Sequence, residues 1–347
     1  MKIAFHTNQI NLLGVEVSIF EYADLCEKLF GYKSIILSKN NRIKDIAASN
    51  INQPLALKKF RDRFPLFLYE DLSQIEDILN KQNVNLFYAQ KRGDYDKIES
   101  KKIKTVIHSV FKYHDPHGSV YAYISKWLSD IMTDGKAPFV PYPINLPKAS
   151  NNLRSNLNIP PDAVVFGRYG GPDSFNVSFV QDLILELVNK NCNVHFLFMN
   201  TKDFLNKSDT FLNKIKVKIK PITHKQIHFI PPTASLAFKS EFINTCDAMI
   251  HARDRGETFG AAVGEFSIHN CPVITYGGNS NPNYESAHIQ MLGEKCFIYN
   301  NYDELSEIFR KIICDKNVLK LKNWNAYSDA FNPIVVMNKF KKVFIDS

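Results

Sequence analysis

Glu257 and Glu265 stand eight residues apart in the stretch His251-Ala-Arg-Asp-Arg-Gly-Glu-Thr-Phe-Gly-Ala-Ala-Val-Gly-Glu265. An apolar run, Ala248-Met-Ile250, leads in and reads as a buried strand; another, Pro272-Val-Ile274, leads out. The pattern is strand, loop, helix, strand, with polar groups at the carboxyl end of the first strand. That is where open α/β sheets hold their ligands. A helix starting at Thr258-Phe259-Gly260 would turn free amides and the positive end of its dipole toward an anion. Gly260 and the pair Ala261-Ala262 leave room for close approach. Eight helical residues rise about 12 Å, a length comparable with a nucleotide diphosphate joined to a sugar. One carboxylate can then accept hydrogen bonds from sugar hydroxyls and the other from a ribose diol. The blander reading makes Glu257 a helix-start acid and Glu265 a solvated one. Apolar strands on both sides and small residues between the two acids favour a closely packed helix, and with it the site.

Such a segment needs a sheet on each side of a cleft, and the rest of the chain reads that way. Residues 2–6 form a strand, a loop runs to Gly14, and an amphipathic helix spans 15–30 with Gly31 as its stop. Strands follow at 34–37, 85–89, 104–108 and 121–125, with helices at 71–81 and 126–132, the latter capped by Ser125. The first turn carries one glycine and no dinucleotide fingerprint, so Gly14 is either a phosphate approach point or a tight turn. Four prolines between 138 and 147, then a polar stretch to 156, mark a linker near 142–158. The alternation resumes with strands at 163–167, 194–198, 226–230, 273–275 and 296–299. Helices are expected at 177–189, 236–245, 285–292, 302–314 and 333–344. The fold expected is α/β, two doubly wound Rossmann-like domains facing across a cleft, over residues 1–150 and 151–330. The C-terminal segment 331–347 would pack back on the first domain. In the second domain Arg168, followed by Gly170-Gly171 at a strand's end, suits an anion.

The chain has 347 residues, 45% hydrophobic and 22% charged, as in a globular protein with real cores. The net charge of +8 suits anionic partners, but the basic residues are dispersed apart from small clusters such as Lys214 to Lys220. Nothing interleaves them with aromatics as a nucleic-acid groove would. Peripheral contact with anionic lipid is compatible with this surface. The N-terminus reads as a strand, not a signal peptide, and no apolar run reaches membrane-spanning length. Six cysteines are scattered without a CxxC pair, which fits reduced thiols and a cytoplasmic location. His108, His114 and His117 follow one strand, and a metal there ranks below a substrate-binding loop, with His108 the best placed of the three. Asp94-Tyr-Asp96 matches the loose pattern that holds a divalent cation, and reads better as a solvated turn. No metal and no cofactor are expected.

At Glu257-Thr-Phe-Gly-Ala-Ala-Val-Gly-Glu265 the sequence resembles retaining glycosyltransferases of the GT-B fold, glycosyltransferase family 4 in particular. Their signature is a glutamate, seven residues and a second glutamate. The likeness extends to Gly14, His108, Ile124-Ser-Lys-Trp-Leu128, Phe166-Gly-Arg168 and Gly277-Gly278, and covers most of the chain in order. It implies that Glu257 contacts hydroxyls of a nucleotide-diphosphate-sugar donor and Glu265 its ribose. Arg168 and the backbone of Thr258, Phe259 and Gly260 would hold the diphosphate. Gly14 would border the phosphates, His108 would sit near the transferred sugar, and a glycan or other hydroxyl acceptor would lie on the first domain. The lysine usual after the matching arginine is missing from Gly170-Gly-Pro-Asp-Ser-Phe175, and Arg253 or Arg255 is expected to replace it. The competing readings are a non-catalytic nucleotide-sugar-binding protein and a sugar-nucleotide epimerase of the same fold.

Overall fold

Strands β1 (Lys2–Thr7), β2 (Lys33–Lys39), β4 (Leu86–Lys91) and β5 (Lys104–Ser109) are almost continuous buried runs. Such runs suit a parallel sheet covered on both faces. In the computed structural model, which describes residues 1–41, 52–190, 193–205 and 224–347, they build one of two six-stranded parallel sheets. With β3 (Leu66–Tyr69) and β6 (Val120–Tyr123), the first sheet has the order β3-β2-β1-β4-β5-β6. The second sheet comprises β7 (Val164–Tyr169), β8 (Val194–Met199), β9 (Ile227–Ile230), β10 (Ala248–His251), β12 (Val273–Tyr276) and β14 (Cys296–Tyr299). Its order, β14-β12-β10-β7-β8-β9, is the same doubly wound pattern. A two-residue pairing of β11 (Gly256–Glu257) with β13 (Glu285–Ser286) stands apart. The α/β class with two Rossmann-like sheets is therefore as the sequence suggests.

Each sheet reverses its winding once, between β1 and β4 and between β7 and β10. Ligands of such sheets sit outside the strand ends at that reversal. The helix after β1 is α1 (Gly14–Phe30), closed by Gly31 in the left-handed conformation at φ 67°. Besides the two-residue strands β11 and β13 and a single helical turn at 328–331, α2 (Pro54–Arg63) and β3 escape the sequence reading. Helix α2 buries only Ala56 and Phe60, and β3 is four residues long. The remaining helices of the first half are α3 (Ser73–Lys81) and α4 (Lys126–Thr133), where the Ser125 hydroxyl accepts from the Leu128 amide at 3.1 Å. Then come α5 (Ser178–Lys190), α6 (Leu236–Thr245), α7 (Ala261–Ile268), α8 (Ala287–Leu292), α9 (Tyr302–Leu319), α10 (Ser328–Phe331) and α11 (Pro333–Phe340). The basic run 214–220 lies outside the described residues. Among the described residues no helix is long and apolar enough to cross a membrane.

After α11 the chain continues as a π-helical turn, Lys341–Ile345, lying against the first sheet. Phe340 packs 5.0 Å from Tyr22, 5.2 Å from Tyr88 and 6.4 Å from Phe5, ring centre to ring centre. Phe344 lies 5.4 Å from Tyr88 and 5.2 Å from His108. All are fully buried. Removing a large aromatic from such a cluster leaves a cavity the backbone cannot close. Phe340→Ala is expected to lower unfolding stability by about 3–5 kcal/mol, read from urea melts; a loss under about 1 kcal/mol would mean that the segment is loosely attached.

Candidate functional site

A cleft of about 450 Å³ opens where the reversal points of the two sheets face each other. The first sheet's side contributes Gln9, Gly14, Glu16, Val110 and Tyr142; the second contributes Arg168, Tyr169, Lys239, Arg253, Glu257 and Glu265, among others. One bond crosses it directly: the Thr258 hydroxyl donates to the Val110 carbonyl at 2.9 Å. A second cavity, about 330 Å³, lies beside Asp247, Cys271 and Pro272, at the amino ends of β10 and β12. Its carboxylate is already taken by Arg154 and Lys320 at 2.9 and 2.8 Å. It offers no comparable convergence of polar groups.

Glu257 lies in the short strand β11, before the helix rather than at its start. The left-handed Gly260, φ 82°, turns the chain, and α7 begins only at Ala261. A β-carbon at Gly260 would meet the His288 side chain at 3.0 Å, so the turn is tight as well as left-handed. Thr258, Phe259 and Gly260 thus line the cleft as the approach to the helix, which corrects the expected helix start. The Phe259 ring is not offered to a ligand: it packs against Tyr142 at 5.0 Å and Phe331 at 5.4 Å.

Burial would raise the Glu257 pKa, but the positive charge of Arg253 and the contact with His251 carry it down to about 2. Arg253 Nη1 lies 2.7 Å from Oε2, and His251 Nε2 lies 3.5 Å from Oε1. Behind them runs a buried chain, His251 Nδ1 to Thr275 Oγ1 at 2.9 Å and Thr275 Oγ1 to His288 Nε2 at 2.9 Å. A side chain held from two sides keeps one orientation and so can read hydroxyl positions. With 24% of its side chain exposed, Glu257 still reaches the cleft.

Glu265 stands in the second turn of α7, facing the same cleft. The Tyr169 hydroxyl donates to its Oε2 at 2.5 Å, and Lys239 Nζ lies 3.2 and 3.3 Å from its two oxygens. Lys239 is the only basic residue of α6. Sequence reasoning missed it, and its lone place in an otherwise mostly apolar helix is the one signal that could have found it. Arg168 belongs to β7 itself, not to the loop after it, and is 4% exposed. Its guanidinium donates to the Thr201 and Ser174 hydroxyls, each at 2.8 Å. Among the described residues no carboxylate lies within ion-pair distance of it. Burial lowers its pKa to about 10, with Glu257 opposing the shift and Arg253 adding to it, so it stays charged at neutral pH.

Two expected residues need correction. His108 does not reach the cleft. It is fully buried among Tyr22, Tyr88 and Phe344, its Nδ1 is 2.6 Å from the Tyr88 hydroxyl, and burial pushes its pKa to about 3. The C-terminal turn covers the face of β5 on which it stands. Arg255 also turns away: it pairs with Glu285 at 2.8 Å and lies over Phe111. Arg253 does line the cleft, though paired to Glu257. Gly14 opens α1 with nothing within 4 Å of where a β-carbon would stand, so its wall of the cleft is free of side chain. Elsewhere, Asp94 is held by Arg92 at 2.9 Å and Asp96 by Lys91 at 2.5 Å. His114 and His117 bond Tyr123 and the Asp115 carbonyl, apart from His108.

No family model matches the chain, and no curated protein matches it either. Solved structures do. The chain is similar to Anabaena HepE in complex with UDP-glucose, at TM-score 0.69 and 13% identity over 100% of both chains. It is similar to sucrose-phosphate synthase from Thermosynechococcus elongatus, at TM-score 0.68 and 10% identity over 100% of both. A Listeria monocytogenes protein provisionally named a UDP-N-acetylglucosamine 2-epimerase matches at TM-score 0.62 and 12% identity, over 100% of this chain and 97% of that one. At these identities the likeness shows the shared GT-B arrangement of two Rossmann-like domains.

Proposed function

We propose that the chain is a glycosyltransferase that moves a sugar from a nucleotide-diphosphate-sugar to an acceptor hydroxyl, with retention and without a metal ion. The observation that carries this reading is Arg168, a buried guanidinium whose hydrogen-bond partners among the described residues are hydroxyls, set in one cleft with Glu257 and Glu265. The HepE structures that share the fold hold UDP and UDP-glucose. Arg168, with the amides that approach α7, takes the diphosphate. The ionised Glu257 accepts from hydroxyls of the sugar, and Glu265, oriented by Tyr169 and Lys239, accepts from the ribose. The departing diphosphate gains negative charge as the glycosidic bond breaks. Fixed positive groups in a water-poor cleft stabilise that charge most when it is fully developed, which lowers the barrier. Arg168, Arg253 and Lys239 supply positive charge from the chain itself, which is why the proposal includes no metal. The acceptor lies against the first sheet's wall.

Turnover of a nucleotide-sugar with an acceptor is expected to persist in excess EDTA, and NMR of the product is expected to show the donor's anomeric configuration. Loss restored by Mn²⁺, or an inverted product, would contradict those two parts. Recovery of a nucleotide-sugar with changed ring stereochemistry and no acceptor would favour the epimerase reading, to which the Listeria structure lends its fold.

A further inference from the structure

Glu16 is the third residue of α1, fully buried, and part of the cleft wall beside Gly14. The Thr7 hydroxyl donates to its Oε1 at 3.1 Å and the Gln9 side-chain amide donates to the same oxygen at 3.0 Å. Among the described residues Oε2 has no hydrogen-bond partner. Burial raises the pKa to about 8, although its own backbone amide, Thr7 and Gln9 pull the other way. A carboxylic acid that keeps its proton has one carbonyl oxygen and one hydroxyl. Oε1, with two donated bonds, is the carbonyl; Oε2 then carries the proton. That hydroxyl is a buried donor with no acceptor among its neighbours, an arrangement that costs stability unless something takes the bond.

What could take it is limited by the surroundings. The amino end of α1, where helix amides lack intrahelical acceptors, borders the same cleft, and Gly14 keeps the approach open. Arg168 lines the opposite wall. Amides, a guanidinium and an acid O–H are all donors, and the ligand group that satisfies all three is an anionic oxygen. We propose that Glu16 donates a hydrogen bond from Oε2 to a phosphate oxygen of the nucleotide-sugar's diphosphate, and that donor binding weakens when Glu16 ionises. This rests on the reading of the cleft as a nucleotide-sugar site. Once ionised, Glu16 would lose the donor and place a negative charge against the phosphates.

The neighbouring titratable groups leave the window clear. Tyr142, from the segment after α4, senses the charge of both Glu16 and Glu257, and burial holds its pKa far above the usual tyrosine range. Across the cleft, Glu257 titrates near 2, burial holds His251 below its ordinary value, and Arg168 lies near 10. Lys239 and Glu265 act on Glu21, further along α1. Of Glu16, Glu21, Tyr142, His251, Glu257 and Arg168, Glu16 is the group whose midpoint falls between pH 7 and pH 9.

The test measures Kd by calorimetry for UDP, GDP, ADP and UDP-glucose at pH 7.0 and 9.0, with wild type and Glu16→Gln. A group titrating near 8 makes binding by the wild type about tenfold weaker at the higher pH. The Gln amide donates at both pH values, so the variant should change less than twofold. In parallel, thermal melts are compared from pH 5 to pH 8. The unfolded chain gives up the Glu16 proton at the ordinary carboxyl pKa, while the folded chain keeps it until near 8. Wild-type stability therefore falls through this interval relative to Glu16→Gln. Thr7→Val, which removes one donor to Oε1, is a second variant and should move the alkaline midpoint upward. Equal pH dependence in wild type and Glu16→Gln overturns the proposal, as does a relative melting temperature that stays constant with pH. A pH effect on UDP-glucose but not on the free diphosphates assigns the proton to a sugar hydroxyl and overturns the phosphate contact. Failure of every nucleotide to bind at pH 7.0 overturns the donor-site reading and the proposal together, while the melts still report where the proton resides.

Discussion

Glu257→Ala is expected to cut sugar transfer at least a thousandfold while the protein stays folded. Two effects combine. The variant loses the carboxylate that reads the sugar, and it frees Arg253, whose guanidinium now lies 2.7 Å from that carboxylate. Loss of one preorganised polar contact at a reacting centre typically costs about 10²–10³ in rate; a released Arg253 that swings onto the substrate adds misalignment. The fold should survive because β11 is only two residues long, Glu257 is partly exposed, and the surrounding core is carried by Phe259, Val263 and Phe266. Glu257 is ionised at every pH above about 3, so it contributes no acid limb to the rate between pH 5 and pH 8. The check is kcat and KM with a fixed nucleotide-sugar and acceptor, beside circular dichroism. Turnover near that of the wild type would remove Glu257 from the chemistry.

Arg168→Met is expected to weaken nucleoside diphosphate binding about a hundredfold, roughly 3 kcal/mol, without lowering the melting temperature. The two halves of this expectation separate a ligand-binding arginine from a structural one. A structural arginine is paired, and its loss leaves a buried carboxylate stranded at a cost of about 3–5 kcal/mol. Among the described residues Arg168 bonds the hydroxyls of Thr201 and Ser174 and no others, and these can turn to other partners. Its burial penalises the folded protein, as the lowered pKa records, so an apolar side chain of similar length relieves that penalty. Calorimetry with UDP and GDP measures the first half and a thermal melt the second. Unchanged affinity with a lowered melting temperature would make Arg168 part of the scaffold.

The sequence carried the architecture because parallel strands buried on both faces read as short apolar runs, and the helices between them as 3.6-residue stripes. The exceptions share a cause. Helix α2 buries two side chains and β3 is four residues long, so neither leaves a periodic trace. Within the site, Glu257, Glu265 and Arg253 lie on one local segment, where spacing speaks directly. Lys239 and Tyr169 reach Glu265 across 26 and 96 residues, and Thr7 and Gln9 reach Glu16 through a loop. No spacing rule sees such pairs. His108 shows the reverse failure. It ends a strand at the right height, but it stands on a face that Tyr22, Tyr88 and the C-terminal turn cover, and Phe344 comes from 236 positions later. Arg255 is two residues from Glu257 and still points elsewhere, because β11 pairs with β13 and brings Glu285 beside it.

The central claim is that one cleft holds a nucleotide-sugar from Glu265 to Glu257 across Arg168. A crystal structure with a bound nucleotide-sugar, UDP-glucose first and GDP-mannose second, tests it most directly. The ribose is expected against Glu265, the diphosphate between Arg168 and the turn that leads into α7, and the sugar hydroxyls on Glu257. A nucleotide bound in the opposite direction, or lodged away from Arg168 with this cleft empty, would contradict it.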